Sequence, residues 1–177
     1  FNWEDVSDGS GINRYTIQVS TSPTLGGSGG FASTVINAII QSPAVSEFTP
    51  ATDLVDGTYY WHVRARDGAN NEGPFSTIFS FTVDTVAPAT APALNTPEDD
   101  SFTNDPTPDF DWDDVSDSGT VTSPISYELL LDDNVGLSSP ETFTSANSAF
   151  TLPGSSTLAD GEYFWQVRAK DAAGNLG

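Results

Sequence analysis

The chain contains neither cysteine nor methionine. Without cysteine there is no disulfide framework, no thiolate zinc site and no cysteine nucleophile, so ordinary packing must hold the fold. Cations are nearly as scarce: five Lys and Arg stand against 25 Asp and Glu, a net charge of −20 over 177 residues. Phosphate backbones need a cationic footprint, so nucleic acid is excluded as a partner, and an anionic membrane surface is disfavoured for the same reason. There is one histidine, His62, and no apolar run approaches a membrane span or a signal peptide. Aromatic residues are plentiful at 11%, too many for the acidity to mean disorder.

What the chain has in place of these is a repeat. Phe1-Asn2-Trp3-Glu4-Asp5-Val6-Ser7-Asp8 returns as Phe110-Asp111-Trp112-Asp113-Asp114-Val115-Ser116-Asp117. A second block, Asp56 to Asp67, returns as Asp160 to Asp171, and the first copy carries the longer middle. Such a period marks two similar domains, each large enough to bury its own core. The prolines of the stretch 84–92 stiffen a connection between them. The expected domains are residues 1–86, lacking a first strand, and 87–177, lacking a last one. That phase, with a start on Phe1, reads as a window excised from a longer array.

Hydrophobicity alternates with period two, and no stretch carries a helical stripe. Tyr59, Trp61, Val63 and Ala65 should face one side of a strand, with Tyr60, His62, Arg64 and Arg66 on the other. Tyr163, Trp165, Val167 and Ala169 repeat the inward set. Asp-Gly, Pro-Gly and Gly-Gly pairs punctuate the strands. The fold class is therefore all-β, two tandem β-sandwiches.

The run Leu-x-Asp-Gly-x-Tyr-x-Trp-x-Val-x-Ala-x-Asp at 54–67 and 158–171 resembles the sixth strand of fibronectin type III and related immunoglobulin-like domains found in tandem in prokaryotic secreted surface proteins. The resemblance implies that Tyr59 and Tyr163 make the corner hydrogen bond and that Trp3 and Trp112 are core tryptophans of the second strand. It also implies that residues 67–73 and 171–177 form the last hairpin loop. There is no Arg-Gly-Asp motif and no immunoglobulin disulfide.

A catalytic reading finds little support in the residues. His62 has Gln166 at its matched position, so the strand there calls for a polar group, not an imidazole. No nucleophile elbow or second histidine is present. Paired carboxylates such as Asp111, Asp113 and Asp114 lie on a small sandwich with no obvious cleft. Calcium is the candidate cofactor, since it takes carboxylate and carbonyl oxygens from loops. In a head-to-tail array Asp56 and Asp84 would face Asp114, Asp117 and Asp171 across the linker. The plainer alternative is a solvated acidic surface. Arg64, Arg66, Arg168 and Lys170 share outward strand faces and should form cross-strand charge pairs, with Glu128 or Asp132 as partners.

The expected function is a non-catalytic spacer or assembly module of an extracellular, cell-surface or filament protein. Its expected partners are neighbouring repeats or like subunits, with surface glycans as a further candidate through Tyr60 and Phe164; membrane insertion is not expected. The alternatives are an accessory module of a secreted hydrolase and a filament subunit held by donor strands.

Overall fold

The computed structural model describes residues 1–41, 45–119 and 121–177, and among these there is no helix, hence none long and apolar enough to cross a membrane. The chain divides into two compact units, Phe1–Asp84 and Thr85–Gly177, which places Thr85 and Val86 with the second.

The first unit is built on a four-stranded antiparallel sheet in the order β2-β1-β3-β4, from β1 (Ile12–Ser20), β2 (Ile36–Gln41), β3 (Gly57–Asp67) and β4 (Phe79–Val83). These strands are rich in β-branched and aromatic residues, which suit a pleated surface with one face buried. Alternation sets the faces: Tyr15, Ile17, Val19, Tyr59 and Val63 form the core, and Trp3, Trp61, Ala65 and Phe81 pack against it. A second layer is made by the segments around Asn2 and Glu47, which pair antiparallel, with Trp3 N–H donating to Ser46 O and Phe48 N–H to Phe1 O. β2, the uncharged apolar stretch of the sequence, is an edge strand of the sheet.

The second unit has two three-stranded antiparallel sheets. One, in the order β5-β6-β9, comprises β5 (Leu94–Thr96), β6 (Asp109–Trp112) and β9 (Ala149–Thr151). The other, in the order β10-β7-β8, comprises β7 (Ser126–Asp132), β8 (Glu141–Ser145) and β10 (Phe164–Lys170). Between them lie Phe110, Trp112, Tyr127, Leu129, Leu131, Leu152, Val167 and Ala169. Burying each large apolar side chain contributes on the order of 1.5–3 kcal/mol. Both units are immunoglobulin-like sandwiches.

The segment after Asp84 is held against the second unit. Ser118 Oγ donates to Ala87 O, Pro88 is buried, and a Cβ added to Gly119 would meet Val86 at 3.3 Å. Gly119 sits at φ +113°, where a side chain is strained.

Candidate functional site

Repetition of detail is clearest at one end of each sandwich. In the hairpin after β3, Asp67 accepts from Asn71 N–H at 2.7 Å and from the Asn71 side-chain amide at 2.8 Å. After β10, Asp171 accepts from Asn175 N–H at 2.8 Å and from its side-chain amide at 2.7 Å, and also from Gly174 N–H. Each loop needs a residue of positive φ at its fourth position, supplied by Asn70 at 73° and by Gly174 at 98°. Gly73 N–H and Gly177 N–H then close the hairpins on Ala65 O and Ala169 O.

A second carboxylate sits beside each of these loops. In the first unit Asp8 accepts from Ser10 N–H and Ser10 Oγ, and Asp67 is near enough to raise its pKa electrostatically. The Ser10 hydroxyl and N–H outweigh that repulsion and hold Asp8 below the ordinary carboxylate range. In the second unit Asp117 accepts from Ser118 N–H, Ser123 N–H and Ser123 Oγ. Oxygens of Asp117 and Asp171 lie within 4.8 Å of one another. Burial pushes the Asp171 carboxyl up, but the Asn175 amide and the backbone N–H groups of Asn175, Gly174 and Ala173 together leave it low. Asp67 is held low chiefly by the Asn71 side chain and N–H.

Of the five carboxylates the sequence singles out, the second unit thus brings Asp117 and Asp171 together. Asp114 does not join them: it is exposed and lies 3.5 Å from the Tyr127 hydroxyl, which donates to it. Asp56 and Asp84 belong to the first unit, before β3 and after β4. These hydrogen bonds leave at most one lone pair on Asp171 Oδ2 and one on Asp117 Oδ1. Calcium takes about six to eight oxygens, so this pair is a fraction of a shell. The matched Asp8–Asp67 pair was not singled out in the sequence, although the repeated Asp-x-x-x-Asn spacing marks its second member.

Three of the four expected cations form charge pairs, through two acidic partners, while Arg66 Nε donates instead to Asn70 O at 3.2 Å. Glu128 takes Arg168 at 2.5 Å and Lys170 at 3.4 Å, which holds its carboxyl below the ordinary range, with the Arg168 hydrogen bond the main cause. Glu72, not anticipated from the sequence, takes Arg64 at 2.5 Å and Arg14 at 3.2 Å. Asp132 instead binds its own loop, chiefly the N–H of Ser139.

His62 corrects the expectation of a surface position. It does point away from the core, yet it is only 1% exposed. Phe31, from the β1–β2 loop, stacks on it at 4.2 Å, and Phe75, from the segment after β3, at 3.9 Å. Its Nε2 lies 3.0 Å from Gln18 Oε1, which also accepts the Phe31 N–H at 3.0 Å. An oxygen accepting from both sides requires the proton on Nε2. Burial and the Arg64 charge lower its pKa. A cleft of about 350 Å³ adjoins it, lined among others by Leu25, Ser28, Arg64 and Phe75. An enclosed imidazole bonded to an amide is a packing element; general base catalysis needs access to a substrate proton.

Residues 93–177 match the family model of the bacterial Ig-like domain. No curated protein matches the sequence. The matched span covers β5 through β10 and so includes both sheets of the second unit and the Asp171 hairpin, which places an immunoglobulin-like domain of bacterial type in this part of the chain.

Proposed function

We propose that the chain is a non-catalytic structural module of a secreted bacterial surface or filament protein, serving as spacer or assembly unit beside neighbouring repeats or like subunits. The observation that carries this reading is what the two copies keep and what they change. Both keep the core tryptophan–tyrosine pair and the Asp-x-x-x-Asn hairpin, with the same two bonds from the Asn to the Asp. Their outward faces differ, His62 against Gln166 and a triad on Glu72 against one on Glu128. Retained scaffold with divergent faces suits a part whose work is to hold distance and shape, and bacterial Ig-like domains commonly do that work outside the cell.

Pulling the chain from its two ends tests the reading. Two separate unfolding steps are expected, each releasing about 30 nm of contour at roughly 3.3–3.6 Å per residue. A single step, or steps at forces too low to resolve, would remove the spacer role.

Calcium belongs to the same proposal, with Asp117 and Asp171 as its ligands in the second unit and further oxygens from outside that pair. Millimolar calcium is expected to raise the melting temperature of the chain, and Asp117→Asn to abolish the rise. An unchanged melt on adding calcium rejects it.

A further inference from the structure

His62 is a buried titratable group that the structural role leaves unused. Three pieces of chain meet on it: Gln18 of β1, Phe31 of the loop 21–35, and Phe75 of the segment that follows β3. The Phe75 segment is tied to β3 independently, by Gly73 N–H to Ala65 O and Ser76 N–H to Val63 O, whereas the loop 21–35 has no such ladder. The loop 21–35 has only the isolated Leu25–Phe31 bridge within it and carries no charged residue. Its grip on the sheet runs through the Phe31 N–H bond to Gln18 and the Phe31 ring on His62. Gly30 is part of this grip, because a Cβ there would meet Gln18 Oε1 at 2.7 Å.

We propose that His62 is an acid-sensitive latch: its neutral imidazole pins the loop 21–35 to the outer face of the first unit, and protonation releases that loop. The new charge would have no counterion. β1 presents Gln18, both loops present phenyl rings, and β2 and β4 carry no charged residue. Glu72, on the same segment as Phe75, is already bonded to Arg14 and Arg64. Arg64, two residues along β3 with its guanidinium 4.6 Å from the Phe75 ring, adds repulsion. Phenyl faces do attract a cation, but that attraction is smaller than the hydration a charge loses at 1% exposure. Opening the loop 21–35 restores that hydration without disturbing the core on the other face of the sheet. The second copy has Gln166 at the matched position and so has no such group.

Nuclear magnetic resonance of the whole chain between pH 7.5 and 5 decides it. The imidazole is expected to titrate with a midpoint below the ordinary 6.5. The Phe31 amide should change with the same midpoint while amides of the core residues Ile17 and Val63 stay in place. A midpoint at or above 6.5, a Phe31 amide indifferent to it, or loss of Phe31 and Ile17 together would each overturn the latch. In a parallel arm, His62→Gln installs the second copy's residue. The wild-type folding constant of the first unit should fall by up to about tenfold per pH unit below 6.5. The variant should lack that slope, and a variant retaining it also overturns the proposal. Should the variant not fold, the wild-type titration stands by itself.

Discussion

Trp112 meets Tyr127 edge to face, with ring centroids 5.4 Å apart and 64° between the planes. Trp3 and Tyr15 hold the same 5.4 Å at 69°. In each case the tyrosine hydroxyl reaches past the ring to accept a backbone N–H, from Val115 or from Val6, and to approach an aspartate, Asp114 or Asp5. One pair therefore joins the core to the loop that follows the tryptophan. Trp112 is 2% exposed, and its removal leaves a cavity between the sheets. Trp112→Ala is expected to destabilise the second unit by about 3–5 kcal/mol, read from urea unfolding. A loss under about 1 kcal/mol would contradict its place in the core.

The corner tyrosines separate the copies. Tyr59 Oη donates to Val55 O at 2.8 Å, whereas among the described residues the Tyr163 hydroxyl makes no such bond. Tyr59→Phe should cost about 1 kcal/mol. Tyr163→Phe should stay within about 0.5 kcal/mol of the parent. Equal losses in thermal melts would show that the bond is not what distinguishes them.

Gly68 and Ala172 occupy the same place in their hairpins, yet they are not interchangeable. A Cβ on Gly68 would lie 2.5 Å from Ser10 O, a backbone atom that cannot move by rotamer change. Gly68 N–H donates to Gly11 O, while Ala172 N–H donates to Ser123 Oγ. Gly68→Ala is expected to destabilise the first unit by about 1–3 kcal/mol, measured by calorimetry. A neutral effect would mean that the loop around Ser10 yields.

Acid should act on the second hairpin through Asp171. Its folded pKa lies below 3.8, so the stability it contributes is complete above that value and is lost as pH falls through the folded one. Asn175→Ala removes the side-chain amide bond to Asp171 Oδ2, the largest of the bonds that keep it low. The acid transition of β10 is then expected to begin at higher pH than in the parent. Identical acid limbs, followed through β10 amide signals, would show that the side chain of Asn175 does not stabilise the ionised carboxyl.

Much of this architecture was legible because the chain states it twice. Alternation around Tyr59, Trp61, Val63 and Ala65, and again around Tyr163 to Ala169, reports the buried face directly, since side chains on a strand alternate by geometry. Glu128 as partner of Arg168 and Lys170 follows from the outward set once the strands pair. His62 was not legible as buried. Alternation tells which face a residue takes but not what lies over that face, and Phe31 and Phe75 arrive from loops with no periodicity. Asp114 stands among acidic neighbours in the sequence, yet in the fold it accepts from the Tyr127 hydroxyl. The acidic run ending at Asp8 is plain in the sequence, but its pairing with Asp67 is not, because it depends on two loops far apart in the chain.

The different ways in which Gly68 and Ala172 are held bear on how such domains can be recombined. Each hairpin fits only the particular loop that leans on it, Ser10–Gly11 in one unit and Ser123 in the other. A chimera that transplants the residues 171–177 into the first unit without residues 117–123 would import a methyl group where a carbonyl stands. The two loops form a matched set, and shuffling that respects the set can exchange them as one cassette while leaving the strands beneath untouched.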